Sequence, residues 1–176
     1  MLDFTRIDYL KDGNERQKKA YEILTKYRVF GKLKDYSPIL AGTVPIEIDI
    51  KGSDLDLIFE VDLQYEQDFL DDLLFCQLIP HNVEVEYSIV NGEKCITLNF
   101  MLDGFPIEIF GQNKPTTEQN AYLHMIAEYK ILQEKGEKFK QKIIELKKQG
   151  IKTEPAFGLL LGLENPYEDL LKFYIK

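Results

Sequence analysis

The sequence predicts an α+β fold in which a mixed β-sheet packs against helices and the C-terminal half is helical. Short apolar runs with period-two alternation lie between about residues 36 and 112, and a helical pattern precedes and interrupts them. A series of helix start and stop signals follows residue 115. A chain of 176 residues suits one domain, so we expect residues 1–176 to form one unit, with a sheet core at about 36–112 and a helical part at about 115–176.

The first element is predicted to be a helix over residues 14–30. Asn14 can cap this helix, Gln17 can complete a capping box, and Gly31 suits its end. The spacing of its apolar residues is typical of a helix with one buried side. That side carries Ala20, Ile23, Leu24 and Tyr27.

The next segments alternate as strands do. A short apolar run covers residues 38–43, and the connecting residues 46–50 have a strand-like alternation. Residues 54–61 are predicted to be a strand that places Asp54 and Asp56 on one face and its apolar residues on the other.

A helix is predicted at about residues 65–78, and three further strands are expected to form a meander. The dipeptide Asn91-Gly92 is a strong hairpin signal, and Asp103-Gly104 predicts the second turn. The three strands are predicted at residues 83–90, 94–102 and 105–110.

The C-terminal part carries four helix signals. Thr116 can cap a helix that runs to about Gln133, with Gln119 completing a capping box. A second helix is predicted over residues 137–149 and ends at Gly150. Two more are predicted to begin at Thr153-Glu154-Pro155 and at Asn165-Pro166, with proline in the first turn.

Composition excludes several classes of protein. The formal net charge of −8 argues against broad binding to nucleic acid, which depends on Lys and Arg neutralising phosphates. Cys76 and Cys95 fit neither a metal-ligand spacing nor a disulfide framework, so we predict buried thiols in a reducing compartment. The first residues are too polar for a signal peptide, and no apolar run approaches the roughly 20 residues of a membrane span. We therefore expect a cytoplasmic protein with no membrane partner.

Three carboxylates are candidates for one metal site. Asp54 and Asp56 project from the same strand face, roughly 6–7 Å apart, so both can reach one hard cation such as Mg²⁺. Glu108 lies within an apolar strand, where an acid is costly unless it is paired or metal-bound. Gly42 allows close approach of the backbone to a ligand, and Thr43 adds a hydroxyl donor for phosphate oxygen.

This segment resembles the signature of the nucleotidyltransferase superfamily. The match is Gly42-Thr43, ten residues, and then Asp54-Leu55-Asp56-Leu57. The resemblance implies a nucleotidyltransferase-like fold in which Asp54 and Asp56 bind Mg²⁺ (or Mn²⁺) and Glu108 is a third metal ligand or the base for the acceptor. It also implies that the nucleotide is held by Gly42, Thr43 and Ser53.

Nearly the whole chain also resembles a bacterial family known as domain of unknown function 4269, which is grouped with nucleotidyltransferase-like folds. The family brings no established activity. The matching segments are residues 9–17, 38–43, 53–56, 119–125 and 152–157.

The two resemblances imply a metal-dependent nucleotidyltransferase that moves a nucleoside monophosphate from a nucleoside triphosphate to an unknown acceptor, which is a small molecule, a protein or RNA. Three features depart from the signature: Thr43 replaces the more usual serine, Pro45 lies in the connecting segment, and the third acid is glutamate. They motivate an alternative, a non-catalytic binding or antitoxin-like regulatory protein with the same fold. A phosphate-ester hydrolase that uses the same metals is a further alternative.

Asn120, His124 and Glu128 recur every four residues and therefore share one side of a helix. One interpretation is a solvated polar stripe in which Glu128 pairs with His124. The other is a second wall of the site, with His124 holding phosphate or acting as an acid or base.

Other charged residues are assigned to the surface. Glu154 is interpreted as a first-turn acid favoured by the helix dipole. A solvated basic face is predicted for Lys142, Lys147, Lys148 and Lys152. The sequence does not place Arg6, Tyr9, Arg16 and Gln17 relative to the site.

Overall fold

The computed structural model describes residues 2–90 and 92–174 and confirms the α+β fold. Its sheet is formed by strands β1 (Ile39–Ala41), β2 (Leu55–Glu60), β3 (Val85–Val90), β4 (Glu93–Leu102) and β5 (Phe105–Gln112). Across the sheet the strands follow the order β1-β2-β5-β4-β3.

The sheet is mixed because β2 and β5 run parallel while all its other neighbouring strands run antiparallel. The last three strands form the expected meander. Val90 pairs with Glu93 across the first hairpin, and Leu102 pairs with Phe105 across the second. Asn91, the first residue of the predicted hairpin turn, lies outside the described residues.

Helices surround the sheet and fill the C-terminal half. Their bounds are α1 (Glu15–Lys26), α2 (Val29–Lys32), α3 (Glu66–Phe75), α4 (Asn120–Lys135), α5 (Glu137–Lys148), α6 (Thr153–Leu161), α7 (Pro166–Asp169) and α8 (Leu171–Tyr174). Short 3-10 turns occupy Asp8–Asp12, Lys34–Tyr36, Leu63–Tyr65 and Thr116–Glu118.

The first predicted helix is correct at its start and wrong at its end. Asn14 and Gln17 form the expected capping box. The helix stops at Lys26 because Arg28 adopts a left-handed conformation with φ of 53°, which breaks the helical hydrogen-bond pattern. The chain then re-enters a helix, so Gly31 lies inside α2 instead of ending α1.

Two further local predictions are wrong. Thr116 does not cap α4, because its hydroxyl donates to the Ser37 carbonyl at 2.9 Å and its own segment is a 3-10 turn. Residues 46–50 do not form a strand, since the connection makes consecutive turns with Glu47 at a φ of 58°. Their alternation reflects the burial of Ile46 and Ile48 in the core.

Each face of the sheet supports its own apolar core. One core joins alternate residues of β2, including Leu55 and Leu57, to α1 and α3. The second joins Ile58 of β2 to α4, α5 and α6. Asp56 shares this second face with Ile58, so the C-terminal helices are the elements that face the acids.

The structure also bears on the two cysteines and on membrane-spanning helices. Cys76 and Cys95 are buried free thiols, as predicted. Among the described residues, no helix combines the length and apolar character needed to cross a membrane.

Candidate functional site

A cleft of about 740 Å³ opens between the acid-bearing face of the sheet and helices α4, α5 and α6. Nine residues predicted from the sequence come from four separate segments of the chain, and the fold brings all nine to the lining of this one cleft. They are Gly42, Thr43, Ser53, Asp54, Asp56, Glu108, Asn120, His124 and Glu128.

The two acidic strands meet directly. In the parallel pair, Asp56 of β2 is in register with Glu108 of β5, which places their Cα atoms about 4.8 Å apart. Burial raises the pKa of Asp56 well above its ordinary value, and the charges of Asp54 and Glu108 add to the effect. The pKa of Glu108 is also raised, first by burial and then by Asp54. The two raised pKa values reflect burial and mutual repulsion among acids on neighbouring segments, which a bound cation would relieve.

Gly42 fits its position for a steric reason. It follows β1 with a φ of 75°, a conformation that L side chains rarely adopt. A Cβ atom built there would lie 1.7 Å from Oδ2 of Asp56. Only glycine therefore lets the Asp56 carboxylate rest against the turn.

Ser53 and the connecting segment are held by the loop itself and by α1. The Ile50 N–H donates to Oγ of Ser53 at 2.9 Å. Arg16 donates to the Ser53 carbonyl, and its guanidinium forms an ion pair with Asp49 at 3.0 Å. Gln17 donates to the carbonyls of residues 44 and 45. Arg16 and Gln17 thus brace the segment that leads into Asp54.

Of the other side chains that the sequence left unplaced, neither reaches the acids. Tyr9 lines a separate cavity of about 460 Å³, and Arg6 pairs with Asp8 at the surface.

The polar residues of α4 face the cleft. His124 is 9% exposed and Glu128 is 3% exposed, so the interpretation as a solvated stripe is wrong. Burial lowers the pKa of His124, which favours the neutral imidazole. Burial also raises the pKa of Glu128 well above its ordinary value, and the neighbouring Glu154 adds to this shift.

Sequence reasoning did not assign Lys147 of α5 and Glu154 of α6 to the cleft that they line. Lys147 is 7% exposed, against the prediction of a solvated face. Burial lowers its pKa, while the charges of Glu128, Asp49 and Asp56 act in the opposite direction. The available signal was position, because Lys147 lies four residues after the fully buried Ile143 and therefore on the buried side of α5.

The prediction of a solvated basic face holds for Lys142 and Lys148, which are exposed. Lys152 is exposed at the rim of the cleft. Glu154 does lie in the first turn of α6, as expected, but it also lines the cleft. We refer to Gly42, Asp54, Asp56 and Glu108 as the sheet wall, and to His124, Glu128, Lys147 and Glu154 as the helical wall.

The charge balance of the cleft favours a cation. Among the described residues, its lining contains five carboxylates, from Asp54, Asp56, Glu108, Glu128 and Glu154, and the ammonium groups of Lys147 and Lys152. Oxygen ligands of this kind suit Mg²⁺ and Mn²⁺. The residues of the sheet wall therefore fit a divalent metal.

Comparison with protein families agrees with the fold. The profile of the domain of unknown function DUF4269 matches residues 22–173, which is most of the chain. The chain therefore belongs to this family. A search of curated proteins finds no match.

Solved structures of nucleotidyltransferases share the fold. A Cid1 poly(U) polymerase bound to Mg 3′-dATP superposes with a TM-score of 0.53 and 15% identity, covering 80% of this chain and 45% of that chain. A cytoplasmic RNA terminal U-transferase gives 0.51 and 15%, with 82% and 45% covered. The polymerase core of TRAMP, an RNA surveillance complex, gives 0.51 and 14%, with 93% and 58% covered.

These similarities establish a nucleotidyltransferase-like fold. The chain spans about half the length of the proteins it resembles.

Proposed function

We propose that this member of the DUF4269 family is a metal-dependent nucleotidyltransferase, which transfers a nucleoside monophosphate from a nucleoside triphosphate to an acceptor hydroxyl. The observation that carries the proposal is the register of Asp56 with Glu108 on parallel strands, next to Asp54 and against the Gly42 turn. Such a cluster of acids raises the free energy of the metal-free fold. A group of residues that destabilises the fold in this way is a candidate for a functional site.

The sheet wall would hold Mg²⁺ or Mn²⁺ through Asp54, Asp56 and Glu108. A bound divalent cation of this kind supplies charge neutralisation for phosphate oxygens. The pairing of β2 with β5 fixes the spacing of the Asp56 and Glu108 backbones before any ligand arrives, so only side-chain movement is needed on binding.

The nucleotide phosphates would lie between the two walls. At the sheet wall, Gly42 and Thr43 line the cleft beside Asp56 and offer a close approach of the backbone and a hydroxyl donor. Ser53 lines the same edge. Across the cleft, Lys147 presents a buried ammonium group, which attracts phosphate oxygens more strongly than an exposed one does. These donors would orient the triphosphate.

Glu108 is our candidate for the group that accepts the proton of the acceptor hydroxyl. Glu108 lines the cleft in register with Asp56, so it lies where an acceptor hydroxyl would approach a phosphate held by the cation. The acceptor is a small molecule, a protein or RNA. RNA is the first to test because the structural neighbours include RNA-tailing enzymes.

The test is direct transfer of label. The protein is incubated with Mg²⁺ or Mn²⁺, each α-³²P-labelled nucleoside triphosphate, and panels of RNA, protein and small-molecule acceptors. We expect labelled product and released pyrophosphate, both lost in Asp56→Asn and retained in the exposed control Asp12→Asn.

Calorimetry with Mg²⁺ and each triphosphate supplies a test that does not need the acceptor. Absence of binding at millimolar ligand would overturn the proposal. Binding without transfer to any acceptor would favour the non-catalytic alternative.

A further inference from the structure

A second group of ligating side chains lies on the helical wall, apart from the three acids of the sheet wall. One ligand atom each from His124, Glu128 and Glu154 lie within 4.8 Å of one another. His124 and Glu128 are one helical turn apart on α4, and Glu154 comes from the first turn of α6. Ligand atoms bonded at about 2.1 Å to one tetrahedral ion lie about 3.4 Å apart, so side-chain movements of about 1 Å would bring all three onto one ion.

The group is largely buried, and one of its possible ligand atoms has no partner. Nδ1 of His124 is buried with no hydrogen-bond partner in the described part of the chain. Glu128 is 3% exposed and lines the cleft. A buried imidazole nitrogen without a partner is costly, which indicates that a ligand completes the environment of His124.

Lys147 does not fully satisfy this group. Its charge acts on Glu128 and Glu154, but no carboxylate lies within ion-pair distance of its ammonium in the described residues. The cluster combines two carboxyl groups with one imidazole and one ammonium, and a bound cation would stabilise the ionised form of the two acids.

The donor set selects the type of metal. An imidazole nitrogen with two carboxylates suits Mn²⁺, Fe²⁺ or Zn²⁺ better than Mg²⁺, which prefers oxygen ligands only. We propose that His124, Glu128 and Glu154 form a second divalent metal site, selective for a transition metal, that ties α4 to α6 beside the nucleotide cleft. This site does not depend on the activity proposed above.

Measurements of Mn²⁺ binding in variants distinguish the proposed site on the helical wall from the one on the sheet wall. Stoichiometry is measured by equilibrium dialysis in the wild type, in Asp54→Asn/Asp56→Asn, and in Glu128→Gln/Glu154→Gln. We expect the first double variant, whose sheet wall is disabled, to retain an ion that a large excess of Mg²⁺ does not displace. The second double variant is expected to lose that ion and keep the one at the sheet wall.

Pulsed electron paramagnetic resonance of Mn²⁺ then identifies the ligand. In Asp54→Asn/Asp56→Asn we expect nitrogen modulation from a directly bound imidazole. The modulation disappears in the same background with His124→Gln added, and persists with the exposed control Glu145→Gln. Glu128→Gln/Glu154→Gln replaces two carboxylates with neutral isosteres, so we expect unaltered folding, checked by the melting temperature of each variant.

Two results would overturn the inference: no Mn²⁺ bound once the sheet wall is disabled, or bound Mn²⁺ with no nitrogen modulation. Neither depends on nucleotide turnover, so failure here is separable from failure of the transferase proposal.

Discussion

The sheet wall and the helical wall of the cleft carry similar residue types but are constructed differently. The sheet wall takes Asp56 and Glu108 from two strands that are hydrogen-bonded to each other, so backbone register fixes their spacing. The helical wall takes His124, Lys147 and Glu154 from three separate helices, whose positions depend on side-chain packing in the second core. The sheet wall is therefore a rigid template, whereas the helical wall can adjust by repacking of its helices.

Asp56→Asn is the substitution that most strongly separates chemistry from stability. We expect nucleotidyl transfer to fall by on the order of 10³-fold, because a charge directed at the reacting centre is lost. The melting temperature of the metal-free protein should rise, since burial and neighbouring acids raise the pKa of Asp56 and the substitution removes that unfavourable charge. Label transfer and thermal melts without metal check both effects. A fall in the melting temperature would contradict the electrostatic account of the sheet wall.

Gly42→Ala tests whether the template is rigid. The new Cβ would meet the Asp56 carboxylate, so we expect a loss of activity of about 10²-fold from displacement of that group. Backbone strain adds about 1–2 kcal/mol of destabilisation.

The matched control for Gly42→Ala is Gly104→Ala. Gly104 has a φ of 83°, but a Cβ added there would meet nothing within 4 Å, so the variant carries the strain without the clash. Chemical denaturation and activity are compared in the two variants. Equal activities would show that the sheet wall tolerates movement of Asp56.

Lys147→Met tests the helical wall as a phosphate site. Removal of a buried ammonium group that faces the acids is expected to raise KM for the triphosphate by about tenfold, or about 1.4 kcal/mol, with a smaller change in kcat. Steady-state kinetics at saturating metal measures the split. The exposed neighbour Lys148→Met serves as the control. A similar KM in both variants would remove Lys147 from nucleotide binding.

The smallest expected effect is a pH dependence of stability in the metal-free protein. The pKa values of Asp56, Glu108 and Glu128 are raised, so the folded state binds these protons more tightly than the unfolded state. Stability is therefore expected to fall as pH rises from the ordinary values of 3.8 and 4.5 through the raised ones. His124 and Lys147, whose pKa values are lowered, act in the opposite direction, His124 only below about pH 6.5.

Thermal melts are recorded from about pH 4.5 upward, and the points above about pH 6.5 are free of the contribution of His124. We expect a lower melting temperature at the higher pH, a difference that shrinks when Mg²⁺ is added. Asp56→Asn/Glu128→Gln should flatten the profile. An unchanged slope in this variant would assign the pH dependence to other groups.

The two walls also differ in how well the sequence predicted them. Asp54 and Asp56 were found because alternate residues of a strand point to the same face of the sheet. Glu108 was found because an acid interrupts an apolar strand. The parallel register of β2 with β5 could not be predicted, since it depends on a pairing across 52 positions of the chain, from 56 to 108.

Residues of the helical wall were harder to assign. The four-residue spacing of His124 and Glu128 places them on the same side of a helix but does not show what that side faces. A side facing solvent and a side facing the cleft both fit this spacing. Lys147 was misassigned because lysine is rarely buried, and composition outweighed its place on the apolar side of α5. The left-handed conformations of Arg28 and Glu47 interrupt the helix predicted over residues 14–30 and the strand-like segment 46–50. Neither residue type predicts such a conformation.

The parallel pairing of β2 with β5 has a consequence for the order of assembly. Pairings between distant segments form slowly because their loop-closure entropy must be overcome first, and β2 is separated from β5 by α3, β3 and β4. The acid pair is therefore absent from a chain that has built only its local hairpins and helices. We expect Mg²⁺ to slow unfolding while leaving the refolding rate nearly unchanged in stopped-flow experiments, so that the cation protects the finished molecule without guiding its formation.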